Sequence, residues 1–329
     1  MAMNINKKIK VLVTGANGFI GCNFCTTLKE KGYFVRVAVR NNLHVISGVD
    51  EYIQVGNINE LTDWQQALVG VDMVIHLAAR VHIINDPAVN PVEAFRKVNV
   101  FGTERLARIA AKAGVRRFIF ISSVKVNGEG SQVAYTEKDI PAPQDAYGVS
   151  KMEAEQVLTS VADETGLQVV VLRLPLVYGV GVKANFKSLI KFASSGLPLP
   201  FKSISNRRSF LYIGNLVDAI TTCINHPLAA GETFLVSDGQ DVSTPELIKM
   251  ITGAVNKKVV LFYLHPGILK VLCKIVGKAE ELEKLTGSLI VDSSKIRNLL
   301  GWKAPFTLEE GIKETIKGVE IASALRASQ

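Results

Sequence analysis

The sequence predicts an α/β fold: a doubly wound parallel sheet followed by a smaller C-terminal α/β portion. Apolar runs alternate with longer helical patterns as far as residue 174, the mark of repeated βαβ units. The runs are continuously apolar, as strands covered on both faces must be. A glycine-rich turn, Gly15 to Gly21, joins the first run to the first helical pattern, and after Pro175 the texture changes to Gly, Pro and short amphipathic pieces.

Strands are expected at 10–14, 33–39, 51–55, 71–77, 117–121 and 167–174, with helices between them at 19–31, 61–68, 91–113 and 146–165. Pro91 suits a first helical turn, and Gly114 and Gly166 suit helix stops. A unit of strand 209–213, helix 216–225 and strand 232–236 is expected to return to the main sheet. Short strands are expected near 257–263 and 289–292 in a mostly helical remainder. The first domain is then 1–175, rejoined by 209–240, and the second is mainly 176–329. Residues 266–276 are apolar with lysines at 270 and 274. They read as a packing helix of the second domain, with a membrane-surface helix as the alternative.

Apolar residues make up 48% of the 329 and charged residues 21%. These globular values exclude a disordered, collagenous or small disulfide-bonded protein. Lys and Arg exceed Asp and Glu by 38 − 30 = 8, which suits an anionic ligand. The basic residues are scattered, Arg116-Arg117 and Arg207-Arg208 being only pairs, so nucleic acid is not an expected partner. No apolar run reaches the ~18 residues of a membrane-spanning helix, and the N-terminal stretch shows no signal-peptide core. A cytoplasmic enzyme is expected. Cys22 and Cys25 lie in an apolar helical pattern without a second close pair or nearby His. Both are expected to be buried free thiols, and no metal site is expected.

Thr14-Gly15-Ala16-Asn17-Gly18-Phe19-Ile20-Gly21 follows a strand and opens a helix, the context a dinucleotide fingerprint requires. Gly15 permits the tight turn, Gly18 lets backbone approach a pyrophosphate, and Gly21 lets helix pack on strand. The helix N-terminus then turns free N–H groups and a positive dipole end to the phosphates. The second strand ends at Arg40, where an NAD-dependent fold of this kind normally carries a carboxylate. A guanidinium suits a 2′-phosphate, so NADP(H) is expected in preference to NAD(H), with Arg36 a weaker candidate for that contact. Tyr147 and Lys151 are four apart on one helix and share a face. A neighbouring ammonium is expected to lower the phenol's pKa toward a useful range.

These motifs, in this order, resemble the extended branch of the short-chain dehydrogenase/reductase superfamily along essentially the whole chain. The resemblance rests on the glycine loop, His76-Leu77-Ala78-Ala79, Asn99 in Asn99-Val100-Phe101-Gly102-Thr103, Ser122-Ser123, and Tyr147-Gly148-Val149-Ser150-Lys151. It implies a Rossmann domain with a catalytic trio of Ser123, Tyr147 and Lys151. Ser123 is chosen over Ser122 because it stands five residues before Gly128, as in the family's segment. Cofactor contacts are implied for Gly15, Asn17, Gly18, Phe19, Ile20, Gly21, Asn57, Ile58, Leu77, Ala78, Ala79 and Asn99, besides Tyr147 and Lys151. Substrate contacts are implied for Arg80, Ser123, Lys125, Asn185 and Arg208. Arg208 matches the branch's diphosphate-binding arginine, and Ser209 replaces the aspartate usual after it. Asn127 replaces a tyrosine and Lys125 a small residue, departures expected to mark a different sugar pocket. The second phosphate-binding arginine of related epimerases is absent; the stretch reads Lys284-Leu285. That leaves room for a lipid-linked sugar diphosphate in place of a UDP-linked one.

Two chemistries compete. The leading expectation, carried by Arg40, is a 4-ketoreductase drawing hydride from NADPH and acting on a UDP-linked 4-keto-6-deoxy-N-acetylhexosamine. The alternative is an NAD-dependent 4-epimerase of a UDP-hexose or UDP-N-acetylhexosamine; a non-catalytic cofactor sensor is a remote third. A dehydratase is excluded because Ser123-Val124-Lys125 lacks the necessary carboxylates. The resemblance also implies surface-polysaccharide synthesis and a homodimer formed through the helices carrying Asn99 and Tyr147. Ala107, Ala110, Ala111 and Ala113 suit close packing there.

Overall fold

The computed structural model describes residues 8–41, 45–81, 90–182 and 184–327. Strands β1 (Lys10–Thr14), β2 (Phe34–Val39) and β3 (Glu51–Gln54) flank helix α1 (Phe19–Glu30). Helix α2 (Gln65–Leu68) leads to β4 (Met73–His76). Helix α3 (Pro91–Arg96), a π-helical turn (Lys97–Phe101) and α4 (Gly102–Lys112) run together into β5 (Arg117–Ser123). Helix α5 (Ala146–Thr165) precedes β6 (Gln168–Leu174). Beyond it lie β7 (Leu176–Tyr178), α6 (Ala184–Ala193), β8 (Arg208–Tyr212), α7 (Ile213–Asn225), β9 (Thr233–Leu235) and β10 (Asp241–Val242). Helices α8 (Thr244–Ala254), α9 (Pro266–Ile275), α10 (Ala279–Thr286), α11 (Ser294–Leu300) and α12 (Leu308–Ala327) follow.

The main sheet is seven-stranded, in the order β3-β2-β1-β4-β5-β6-β9, and every pairing in it is parallel. Alternate strand residues serve opposite faces. Val11, Val13, Ile119 and Ile121 pack with α1 and α7 residues such as Phe24, Leu28, Leu216 and Ile220. Leu12, Val74, Phe118 and Phe120 pack with Leu106 and Ala107 of α4 and Ala154 and Leu158 of α5. This is the doubly wound arrangement the sequence predicts.

Local signals explain most boundaries. The Asp145 carboxylate caps α5 by accepting from Gly148 N at 2.6 Å, and Gly166 closes it with φ 75°, a left-handed turn that glycine adopts without strain. The expected helix 61–68 shortens to Gln65–Leu68. Asn59 and Asp63 accept from Leu61 N and Gln65 N at 2.8 and 2.9 Å, and such Asx turns compete with a helical start.

The C-terminal part departs further. Of the unit expected to return to the sheet, only β9 joins it; β8 pairs with β7 and β10 in a separate three-stranded sheet. Pro175, between β6 and β7, has no N–H to continue the ladder, so the chain leaves the main sheet there. The strands expected near 257–263 and 289–292 are isolated bridges, Leu199 to Leu261, Arg208 to Leu289 and Tyr135 to Val291. The Ser209 hydroxyl accepts from Val291 N at 2.9 Å, so a side chain occupies a ladder position. Ala107 and Ala110, expected at a dimer face, are fully buried against the chain's own sheet.

Candidate active site

The glycine loop stands at the carboxyl end of β1. Gly15 has φ +69°, and a Cβ there would lie 2.7 Å from Ala78 N, so the loop and the segment after β4 touch backbone to backbone. A Cβ on Gly21 would strike the Gly15 carbonyl. Gly18 caps α1 without any side-chain hydrogen bond, which leaves first-turn N–H groups, those of Phe19, Ile20 and Gly21 among them, available to an anion. Asn17 is exposed beside them, and Leu77, Ala78 and Ala79 are half-buried across the crevice. Asn57 is exposed after β3; Ile58 is half-buried against the α4 side of the core. The set fits a dinucleotide: a bare helix N-terminus, close backbone and apolar walls.

Tyr147 opens α5 and Lys151 lies one turn on, 2% exposed. Lys151 Nζ donates to the Ile121 carbonyl at 2.7 Å and sits 4.3 Å from the Phe120 ring centroid. It lies 6.0 Å from the Tyr147 ring centroid. Burial pushes the lysine down to about 7, against the pull of Glu155. Burial, with the Asp145 charge beside it, pushes the Tyr147 phenol up. The expected lowering of the phenol by its lysine is therefore not what this structure shows: desolvation disfavours the charged form of both groups.

Ser122 and Ser123 end β5 and face opposite ways. Ser122 Oγ donates to Glu155 Oε1 at 2.5 Å inside the core. Ser123 is half-buried, and its Oγ accepts from Lys125 N at 3.2 Å. That geometry leaves Ser123 as the serine of the crevice.

A buried network behind the trio was not legible in the sequence. Arg173 on β6 forks onto Glu155 of α5 at 2.7 Å, and also donates to Asn127 Oδ1 at 3.1 Å. Asn127 is 2% exposed and donates to the Thr136 carbonyl. It therefore braces the core and does not line a sugar pocket, as its replacement of a tyrosine suggested. His76 is likewise buried between Thr14 Oγ1 at 2.7 Å and Thr103 Oγ1 at 3.0 Å. Burial, then the Lys151 charge, pushes it down to about 3, so it is a neutral strut between β1 and α4.

Asn99 lies in the π-helical turn, 1% exposed. Its amide accepts from Arg80 N at 2.8 Å and donates to the Arg80 carbonyl and Ser150 Oγ at 3.0 and 2.9 Å. It ties the segment after β4 to α5. Arg80 stacks 5.7 Å from the Phe95 ring centroid, and Phe95 meets the Tyr147 ring edge-on. Lys125 donates to Asp145 at 2.5 Å and Glu129 at 2.9 Å. Burial pulls its ammonium down, but the two carboxylates outweigh that and raise it.

Arg40 is exposed at the end of β2. Arg36 is 4% exposed and committed to Glu51 and the carbonyls of Gln66, Ala67 and Val69, which removes it from any cofactor contact. Arg208 is half-buried at the start of β8 and donates to the Gly287 carbonyl at 3.0 Å; burial lowers its pKa. Asn206, missed in the sequence, binds the carbonyls of Leu285 and Gly287 at 3.2 and 3.1 Å. The missing aspartate after Arg208 has a substitute: Ser209 Oγ donates to Asp241 at 2.5 Å. Asn185 lies on α6, its side chain outside the described residues. Of the two N-terminal cysteines, Cys25 is buried and pushed up to about 12, while Cys22 is on the solvent side of α1.

A family model described as "NAD dependent epimerase/dehydratase family" matches residues 11–237. The chain belongs to that family. It is 45% identical to a UDP-glucose 4-epimerase of Vibrio cholerae, covering 93% of this chain and 94% of the relative. It is 28% identical, over 93% of this chain and 94% of the other, to the N-acetyl-alpha-D-glucosaminyl-diphospho-ditrans,octacis-undecaprenol 4-epimerase of Escherichia coli O157:H7. Among solved structures it is similar to the UDP-glucose 4-epimerase of Thermotoga maritima with UDP-glucose. There the TM-score is 0.75 and the identity 26%, over 96% of this chain and 100% of the other. The family model favours NAD(H) and gives no support to the NADP(H) preference read from Arg40. No helix of the described residues is long and apolar enough to cross a membrane.

Proposed function

We propose that the protein is an NAD-dependent 4-epimerase of a diphosphate-linked hexose or N-acetylhexosamine, with UDP as the carrier. The observation that carries this is the 45% identity to a UDP-glucose 4-epimerase along nearly the whole of both chains. The reading replaces the 4-ketoreductase as the first choice.

NAD, held at Gly15, Gly18 and the α1 N-terminus and against Leu77, Ala78 and Ala79, supplies a hydride acceptor and a positive charge beside the trio. With the positive charge of bound NAD and a protonated Lys151 beside it, Tyr147 would give up its proton to solvent; as the phenolate it takes the proton from the sugar's C4 hydroxyl as C4 is oxidised, and returns it when the ketone is reduced from the other face. Ser123 donates a hydrogen bond to the same oxygen. Lys151 Nζ supports the phenolate when that charge develops and keeps its hold on the Ile121 carbonyl. Arg208 grips the diphosphate, and Lys125 and Arg80 are the candidates for sugar contacts. A homodimer through the outer faces of α3, α4 and α5 goes with this reading; Val92 and Phe101 are the exposed apolar residues there.

The purified protein is expected to release stoichiometric NAD on denaturation, seen by mass spectrometry, and to interconvert UDP-glucose and UDP-galactose, or their N-acetyl forms, without added cofactor. The second reading, an NADPH-dependent 4-ketoreductase, is favoured by Arg40 standing where a carboxylate is usual. An empty site that fills with NADPH, and turnover only of a 4-keto sugar, would establish it in place of the epimerase. In that case Arg40→Asp reverses the cofactor preference.

A further inference from the structure

Helix α9 is poorly covered for so apolar a helix. Its buried residue is Leu269, with Cys273 half-buried one turn on. At about 100° per residue, Leu272, Ile268, Ile275 and Val271 fall on one continuous arc, turned about 60° to 160° away from Leu269. All four are exposed, Ile275 at 76% and Val271 at 59%. Phe262 and Tyr263, just before the helix, are exposed as well. Lys270 and Lys274 flank the arc on one side. Across residues 255–278 there are five lysines and no Asp or Glu. Lys257 binds the Ser194 carbonyl and Lys278 pairs with Glu281. Lys258, Lys270 and Lys274 make no ion pair among the described residues.

We infer that this face docks on an anionic membrane surface. An aliphatic arc bordered by unpaired lysines is what an interfacial helix needs: side chains to enter the acyl boundary and ammonium groups to meet lipid phosphates. A protein partner is the poorer match, because the centres of protein interfaces are depleted in lysine. The helix also sits where docking matters. Helix α10 packs on α9, and the carbonyls of Leu285 and Gly287 just beyond it hold Asn206 and Arg208. A docked α9 therefore brings the arginine of the diphosphate crevice close to the lipid surface. The inference goes beyond the 4-epimerase reading and does not depend on it, since the test reads binding without turnover.

The test is co-sedimentation of the full chain with vesicles of phosphatidylglycerol and phosphatidylethanolamine, and with neutral phosphatidylcholine vesicles. Binding is expected to the anionic vesicles alone and to weaken as ionic strength rises. Val271→Glu/Ile275→Glu and Lys270→Glu/Lys274→Glu are each expected to lower binding at least tenfold, at surface positions where unchanged melting curves report an intact fold. Wild-type protein that ignores anionic vesicles, or variants that bind as well as wild type, would overturn the inference. So would light scattering in which the Val271→Glu/Ile275→Glu protein has half the wild-type mass, because the face would then belong to a second copy of the chain.

Discussion

Around Tyr147 the structure places charge inside the protein and surrounds it; around Arg208 it places a half-buried charge whose side chain meets a single carbonyl acceptor among the described residues. Lys151, Asn99, Glu155 and Arg173 are all at least nine-tenths buried. Each is tied to a different element: Lys151 to β5, Asn99 to the segment after β4, Glu155 and Arg173 to each other across α5 and β6. Arg208, by contrast, is half-buried with the Gly287 carbonyl as its side-chain hydrogen-bond acceptor; its strand β8 pairs with the two residues of β10, and Leu289 meets it through an isolated bridge. The groups proposed to handle the proton are held by the main sheet, where small displacements would cost rate. The arginine proposed to bind the diphosphate stands on the smaller, three-stranded sheet.

The largest effect should come from the rigid region. Tyr147→Phe is expected to lower turnover by roughly 10²–10⁴-fold while leaving NAD affinity, measured by fluorescence titration, nearly unchanged. Turnover close to wild type would remove Tyr147 from the mechanism and with it the contrast between the regions.

Glu155→Gln tests rigidity directly. It leaves the Arg173 guanidinium buried without its counter-charge, a loss of about 3–5 kcal/mol when such a pair is broken. Denaturant unfolding should show that loss. A change of only a few tenths would mean the network is incidental.

Arg208→Ala probes the other region. Losing a charge-assisted contact to a diphosphate is worth about 1.5–3 kcal/mol, so KM for the diphosphate sugar should rise about 10- to 100-fold. Stability should hardly move, since the arginine's side-chain bond is to one carbonyl, that of half-buried Gly287. A large fall in melting temperature would show that the two regions are not so different.

The last effect is in pH dependence. Lys151 titrates near 7 in the fold and near 10.4 when unfolded. Between those values the unfolded chain binds the extra proton, so stability of the cofactor-free protein rises as pH goes from about 7 to 10. Lys151→Met should flatten that rise in unfolding experiments run across this range. A rise that persists in the variant would assign it to another group.

The sequence by itself determined the parallel sheet, the glycine turn and the positions of Ser123, Tyr147 and Lys151. These depend on signals a few residues long: continuous apolar runs, Gly15 before α1, and an i, i+4 pair on one helix. Strand alternation separates Ser123 from Ser122, which is turned into the core on Glu155. Only the tertiary structure decided which polar residues were taken by the core. Arg36 and Asn127 read locally as candidates for a ligand contact, yet distant partners at Glu51 and Arg173 hold them. It also decided that β8 leaves the main sheet and that the apolar face of α9 stays uncovered. Pairing across long stretches of chain settles these features, and a local pattern carries no record of the partner.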